Sequence, residues 1–201
     1  MVNKVSGIAA ALTQPNVDTD VIMPKRFLKT ITRKGLADGA FADLRFDEDG
    51  KTRPEFILNQ LQWQDASILV VGNNFGCGSS REHAVWGLMQ LGIKAIIGTD
   101  FGGIFYDNAR KNGLVLPIVD ESVRNSLFVV AAEAEKAVFE IDVEHQIIRA
   151  DAQDFVFEMD PATRQALLLG QDETLDTLKL SDQIQAFEQV HHGKIKVNVN
   201  K

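Results

Sequence analysis

The sequence predicts an α/β fold in which a central parallel sheet is extended by antiparallel strands and flanked by helices. In the middle of the chain, short continuous apolar runs alternate with helical segments, a pattern typical of parallel strands covered on both faces. From residue 137 onward, apolar and polar residues alternate instead, as they do in half-exposed antiparallel strands.

The parallel part is predicted from five consecutive segments. They are a strand at 67–72, a helix at 84–91, a strand at 94–98, a helix at 104–111 and a strand at 114–119. Gly92 follows the first helix and Asn112-Gly113 follows the second, and both suit helix C-termini.

The antiparallel part is predicted at 137–143, 145–150 and 155–159. Asp160 and Pro161 then suit the start of a helix that Gly170 ends. A last amphipathic helix is predicted over 174–190, followed by a polar tail. We expect a single domain over 1–201, with a helical extension over 160–201.

Composition excludes several classes of function. With 21 basic and 28 acidic residues the formal net charge is −7, which argues against bulk attraction to nucleic acid or an anionic membrane. The one cysteine, Cys77, excludes an intramolecular disulfide and a site built from several thiolates. No apolar run approaches the roughly 18 residues that span a bilayer, and the N-terminus lacks a signal-peptide pattern, so we expect a cytoplasmic protein.

The segment from Gly76 to His83 carries the strongest local signal, because it joins a buried strand to a helix. Gly76 and Gly78 allow a sharp turn and a close approach to a ligand. Ser79 and Ser80 are candidate N-caps, and Arg81 could bind a carboxylate or phosphate through two hydrogen bonds. The turn therefore predicts capture of a small anion.

A simpler interpretation is that the turn only connects a strand to a helix. It matches neither the Walker A loop nor the dinucleotide fingerprint. Cys77 is either a nucleophile at a helix N-terminus or an inert packing residue. His83 either orients Ser79 or is a packed histidine bonded to the backbone.

A second signal lies upstream, where Asp18 and Asp20 flank a threonine. The pair could form a local Asx turn, ligate a metal or hold an arginine, and the turn is favoured for the segment taken alone. The stretch that follows contains five cations and no acid: Lys25, Arg26, Lys29, Arg33 and Lys34. It is either an anion site or a solvated basic face, and composition alone favours the second.

Together, Asn-x-Asp-Thr-Asp-x-Ile-x-Pro-Lys at 16–25 and Asn-Phe-Gly-Cys-Gly-Ser-Ser-Arg-Glu-His-Ala at 74–84 resemble the paired signatures of a known family. This is the family of 3-isopropylmalate dehydratase small subunits, the swivel-domain partners of the aconitase superfamily. The resemblance extends to 100–101, to 104–108 and to the overall length. It implies a swivelling β/β/α domain like aconitase domain 4, with C-terminal helices.

The implied activity is interconversion of 2-isopropylmalate and 3-isopropylmalate through isopropylmaleate, a step of leucine biosynthesis. In this family a four-iron four-sulfur cluster binds the substrate. Such a cluster takes three or four thiolates, so this chain is expected to hold no cofactor and no metal. A large subunit should carry the cluster, and the isolated chain should be inactive and could self-associate through its uncovered docking surface.

The resemblance also implies residue roles. Ser79 matches the catalytic serine that acts as an alkoxide base. The expected substrate-binding residues are Ser80, Arg81, Asp20, Lys25, Thr32 and Arg33, the last three in a loop that covers the substrate. Gly76 and Gly78 supply the backbone of the anion-binding turn.

Two other functions compete with this one. A homoaconitase or citramalate dehydratase subunit would use the same machinery with a different side-group pocket. A non-catalytic anion-binding module would use only the turn between Gly78 and Arg81.

Overall fold

A six-stranded mixed sheet forms the framework, in the order β3-β2-β1-β4-β5-β6. The computed structural model describes residues 1–28, 35–79, 81–170 and 181–191. The strands are β1 Lys4–Leu12, β2 Ile68–Val71, β3 Ala95–Ile97, β4 Val138–Asp142, β5 Ile147–Ala150 and β6 Gln153–Val156.

Helices connect and flank these strands. They are α1 Thr19–Ile22, α2 Ala42–Arg45, α3 Glu82–Gln90, α4 Gly103–Asn112, α5 Glu121–Ala132, α6 Pro161–Leu169 and α7 Ser181–His191, with single 3₁₀ turns at Lys25–Phe27 and Ile57–Asn59. Within the described ranges, every helix is too short or too polar to cross a membrane.

Parallel pairing joins β2 to β3, as predicted. It also joins β2 to β1, a strand that the sequence pattern did not predict. All four residues of β2 are buried. Leu69 and Val71 contribute to one apolar cluster, whereas Ile68 and Val70 contribute to a second. Since alternate side chains of a strand point to opposite faces, the two clusters lie on opposite sides of the sheet. The continuous apolar run at 67–72 is explained by this double burial.

The segment 114–119 is not the third regular strand that its apolar run predicts. Its parallel pairing consists of two isolated bridges. One joins Val115 to Ala95 in β3, and the other joins Ile118 to Gly98, the residue that follows β3. Pro117 lies between the two bridges and has no backbone N–H to donate. Its carbonyl still accepts a hydrogen bond from Gly98, so the segment follows the sheet edge without forming a ladder.

The antiparallel half is present, but the predicted strand at 155–159 is wrong in position. A tight turn at Asp151 and Ala152, both with positive φ, pairs Ala150 with Gln153. The hairpin therefore starts the last strand at 153. Glu158, beyond its end, exchanges two backbone hydrogen bonds with Ile118, so the chain passes to the far edge of the sheet.

The C-terminal helices agree in part with the sequence prediction. Asp160 caps α6 by accepting a hydrogen bond from the N–H of Thr163, and Gly170 ends the helix with a φ of +63°. Of the helix predicted over 174–190, residues 181–191 are helical, while 171–180 and 192–201 lie outside the described residues. The extent of a single domain over 1–201, with its helical extension, stays a prediction.

A cluster of charges stabilises the antiparallel half around the buried carboxylate of Asp142. Lys4 Nζ lies 3.3 Å from Asp142 Oδ2, and both the backbone N–H and the ring of His145 hydrogen-bond to Oδ1. Burial by itself raises the pKa of Asp142, but the hydrogen bonds from His145 and Lys4 outweigh it and lower the pKa to about 2. The folded state therefore favours the charged carboxylate.

We expect stability to fall steeply between about pH 4 and pH 2. A carboxyl whose pKa is lower in the folded chain stabilises the fold above its unfolded pKa, and this contribution is lost as the pH falls through the folded pKa. The free energy of unfolding measured in urea at pH 6, 4, 3 and 2 should decline less in Asp142→Asn than in the parent. Equal slopes would show that Asp142 does not produce the decline.

Candidate active site

The loops that follow β1 and β2 lie side by side at the carboxyl edge of the parallel sheet. The N–H of Gly76 donates to the carbonyl of Val17 at 2.7 Å, and the N–H of Thr19 donates to that of Cys77 at 2.9 Å. The two segments singled out in the sequence therefore meet because their parent strands are neighbours in the sheet. This edge is where ligands bind in open parallel sheets.

Gly76 and Gly78 shape the second loop. Their φ angles are +73° and +96°, in the left-handed region that glycine adopts without strain. Gly76 also has no room for a side chain, because a Cβ there would overlap the ring of Phe105. The sharp turn predicted from these glycines is confirmed, and the anion contact predicted for their backbone stays a prediction.

Asp18 organises the first loop. Its Oδ1 accepts hydrogen bonds from the N–H groups of Asp20 and Val21, both at 2.8 Å, and it is the N-cap of α1. The local Asx turn favoured by the sequence is therefore confirmed. The turn leaves the carboxylate of Asp20 available to the second loop.

Asp20 binds the guanidinium of Arg81 through two hydrogen bonds. Nη2 of Arg81 donates to Oδ2 at 3.0 Å, and Nη1 donates to Oδ1. The arginine side chain is 11% exposed and the aspartate side chain 47%, so the arginine is the more deeply buried partner. The hydrogen bond from Arg81 lowers the pKa of Asp20, and the charge of Lys25 lowers it further. Asp20 is thus a carboxylate near neutral pH that holds Arg81 in one orientation.

The serine that follows Gly78 does not cap the helix, contrary to the prediction. Helix α3 begins at Glu82, and its N-cap is Arg81, without a side-chain hydrogen bond to the helix. The hydroxyl of the buried Thr19 donates to the carbonyl of Ser79 at 3.0 Å, which keeps this residue in the turn. Ser79 is exposed, so its hydroxyl can meet a ligand. Ser80, the other predicted cap and substrate contact, lies outside the described residues.

The basic stretch begins close to this pair. Lys25 is exposed and near enough to Asp20 to lower its pKa. Arg26 pairs with Asp43 at 2.5 Å on the exposed surface. Thr32 and Arg33, predicted to contact the substrate, lie outside the described residues.

Cys77 lies within the turn, and His83 follows it. Cys77 is half-buried, and the centroid of the His83 ring lies 4.9 Å from that of Trp86. The described part of the chain contains no group of three or more His, Cys, Asp or Glu side chains placed to hold a metal. Together with the single cysteine of the sequence, this donor set does not fit an iron–sulfur cluster.

Thr19 is the supporting residue that sequence reasoning did not single out. It is 2% exposed, and its hydroxyl links the first loop to the backbone of Ser79. In the sequence this residue appears only as a hydroxyl between two acidic residues, a pattern that also suits an ordinary turn. Its role depends on pairing between loops about 60 residues apart.

The fold and this site define a class of protein. The family described as the aconitase C-terminal domain matches residues 1–121, the part of the chain that contains both loops. A crystal structure of 3-isopropylmalate dehydratase from Methanocaldococcus jannaschii superposes with a TM-score of 0.63 and 29% identity, over 92% of this chain and 99% of that one.

Curated relatives are more specific. The chain is 50% identical to 3-isopropylmalate dehydratase small subunit 1 of Mannheimia succiniciproducens over 90% of both chains. It is 46% identical to the small subunit of Rhodospirillum centenum over 91% of both. It is 44% identical to small subunit 2 of Salmonella typhimurium over 95% of this chain and 92% of that one. The chain belongs to the aconitase C-terminal domain family and, within it, to the 3-isopropylmalate dehydratase small subunits.

We expect Gly76→Ala to destabilise the chain more than the same change at a glycine with similar φ and open surroundings. Gly50, with a φ of +78° and nothing near the position of a Cβ, is the matched control. Gly50→Ala should cost about 1 kcal/mol for the backbone strain alone. Gly76→Ala adds overlap with Phe105 and should cost about 3 kcal/mol. Urea unfolding of both variants measures the difference, and equal losses would contradict the close approach.

Proposed function

We propose that this chain supplies the proton-transferring and carboxylate-binding half of a 3-isopropylmalate dehydratase. The complete enzyme would interconvert 2-isopropylmalate and 3-isopropylmalate through isopropylmaleate, in the hydro-lyase step of leucine biosynthesis, in the cytoplasm. The observation that carries the proposal is the exposed Ser79 on a glycine turn whose next described residue, Arg81, is held by Asp20.

Ser79 is the proposed base. Its Oγ, as the alkoxide, takes a proton from the carbon next to a substrate carboxylate and becomes the neutral hydroxyl. The substrate hydroxyl leaves the neighbouring carbon with the help of the Lewis acid that the large subunit would supply, and isopropylmaleate results. The isomer forms when the proton adds to the carbon that lost hydroxide and hydroxide adds to the carbon that lost the proton. Serine is a weak base near neutral pH, and lowering its pKa by one unit requires about 1.36 kcal/mol of added stabilisation of the alkoxide.

Two features of the turn support that stabilisation. The bond from Thr19 to the Ser79 carbonyl fixes the backbone that carries the hydroxyl. The nearly buried guanidinium of Arg81 places a positive charge two residues further on, where solvent screens it less than at an exposed position. Fixed positive charge aimed at a developing oxyanion is usually the largest contribution to such catalysis.

Arg81 is proposed to bind a substrate carboxylate with the donors that Asp20 leaves free. A guanidinium has five N–H groups and Asp20 accepts two hydrogen bonds from it. Asp20 therefore orients Arg81 and does not occupy all of the donors that a substrate carboxylate would use. Ser80, Lys25, Thr32 and Arg33 are proposed to complete the substrate contacts, Lys25 on the strength of its position near Asp20.

A large subunit is proposed to complete the site. The small-subunit relatives imply such a partner, and the donor set of this chain does not fit an iron–sulfur cluster. We propose that the large subunit holds the four-iron four-sulfur cluster. This chain supplies the base and the anion-binding groups.

Ser79→Ala should lower kcat of the reconstituted enzyme by about 10²- to 10⁴-fold, the usual contribution of a positioned base. The purified chain is mixed with the cluster-bearing large subunit, and the absorbance of isopropylmaleate is followed. Assembly, measured by gel filtration, should be unchanged. Ser122→Ala, at an exposed serine of α5, is the control. Activity near that of the parent in Ser79→Ala would remove Ser79 from the role of base.

Arg81→Lys should raise KM about 10- to 100-fold. An ammonium cannot reproduce the planar contact of a guanidinium with two carboxylates, and a hydrogen bond to a charged group contributes about 1.5–3 kcal/mol. Initial rates against isopropylmalate concentration measure the change. Lys94→Arg, at an exposed position, is the control for exchange of the two cations. An unchanged KM in Arg81→Lys would contradict its contact with substrate.

A further inference from the structure

A buried arginine contacts the loops that follow β2 and β3, and it lies just beyond the residues matched by the family. Arg124 belongs to α5 and is 6% exposed. Its Nη1 donates to the side-chain oxygen of Asn73 and lies 3.4 Å from Thr99 Oγ1. Its Nη2 donates to Glu121 at 2.9 Å and to Asn125 at 3.0 Å. The guanidinium thus reaches the residues that follow β2 and β3.

Asn73 connects this arginine to the first loop of the site. It is the second residue after β2, and its carbonyl accepts a hydrogen bond from the N–H of Asn16 at 2.8 Å. The next residue, Asn74, donates from its side chain to Asn16 Oδ1 at 2.9 Å. Displacing Asn73 would therefore shift the start of both loops that carry the site.

Thr99 connects the arginine to the same place through the third loop. Its hydroxyl hydrogen-bonds to Asp100 Oδ1 at 2.9 Å and lies 3.3 Å from Asn73 Oδ1. The other oxygen of Asp100 accepts a hydrogen bond from the N–H of Asn74 at 2.9 Å. Hydrogen bonds thus connect the loops that follow β1, β2 and β3, and Arg124 is the buried arginine of this polar network.

Stability alone does not require a charge at this position, although hydrogen bonds and the ring of Phe128, whose centroid lies 5.4 Å from Arg124 Cζ, offset part of its burial. Taking a guanidinium out of water is costly, and an apolar side chain of similar volume is often equally or more stabilising. The ion pair with Glu121 offsets little of that cost, because the Glu121 side chain is 70% exposed and its charge is screened. Arg124 Nε is also buried without a hydrogen-bond partner among the described residues.

We propose that Arg124 is a positioning residue for the dehydratase reaction. By holding Asn73 and Thr99, it sets where the turn at Gly76–Ser79, and Arg81 beyond it, lie relative to Asp20. It acts through these neighbours and does not itself contact substrate. The proposal rests on the site described under the proposed function, because it assigns Arg124 the task of orienting that turn.

The test is a double-mutant cycle on kcat per assembled complex. Arg124→Lys keeps the charge but loses the planar fork, and Asn73→Ala removes the acceptor. Each should lower kcat about 10-fold, since misplacement of catalytic groups by a fraction of an ångström has effects of this order. The double variant should be no slower than either single one, because both remove the same contact. Asn73→Asp keeps an acceptor for Arg124 and should retain kcat within twofold of the parent.

Controls separate positioning from stability. Glu121→Gln removes the exposed partner of Arg124 and should leave kcat within twofold of the parent. The melting temperature and the assembled fraction are measured for every variant, so that a loss of folded protein is not counted as a loss of kcat. If Arg124→Lys does not fold, Thr99→Val takes its place in the cycle with Asn73→Ala.

The outcomes distinguish this inference from the site on which it rests. Values of kcat within twofold of the parent in both single variants, or losses that multiply in the double variant, would overturn the role of Arg124. If the Arg124 result is negative but Ser79→Ala is inactive in the same assay, the positioning role of Arg124 fails and the proposed base stands. If Ser79→Ala is fully active, Ser79 is not the base. A loss of kcat in Arg124→Lys would then have to come from displacement of another catalytic group.

Discussion

Parallel pairing between β1 and β2 is the constraint on which the site depends. The two strands are separated by 55 residues in the chain, yet Ala9 pairs with Ile68 and Leu12 with Val71. Because parallel strands end at the same edge, the loops that follow them continue side by side and exchange backbone hydrogen bonds. The contacts of Asp20 with Arg81 and of Thr19 with Ser79 exist only because this register is kept.

Charge in the site is arranged by partial burial. The side chain of Arg81 is largely buried and its guanidinium pairs with Asp20, whereas Ser79 is exposed. A guanidinium held by one carboxylate is fixed in orientation and still has N–H donors for a second anion. Because Ser79 is exposed, its hydroxyl can be reached by a ligand from outside this chain.

The loops and their glycines were predictable because their signals are local. The positive φ of Gly78, the Asx turn at Asp18 and the caps of α6 all follow from single residues and near neighbours. The errors have both distant and local causes. Thr19, about 60 residues away in the chain, binds the carbonyl of Ser79, and the N-cap of α3 is Arg81 instead of a serine. Pro117 is visible in the sequence, and it interrupts the pairing of 114–119 with the end of β3.

The sequence by itself determined the fold class, the position of the two site loops and the family. Hydrophobic periodicity indicates the first, turn residues the second and a specific motif the third. The tertiary structure decided which side chains meet. It placed Asp20 against Arg81, Thr19 beneath Ser79 and Arg124 beneath Asn73. Contacts of this kind depend on strand order and register, which are set by packing of the whole core and have no local pattern in the sequence.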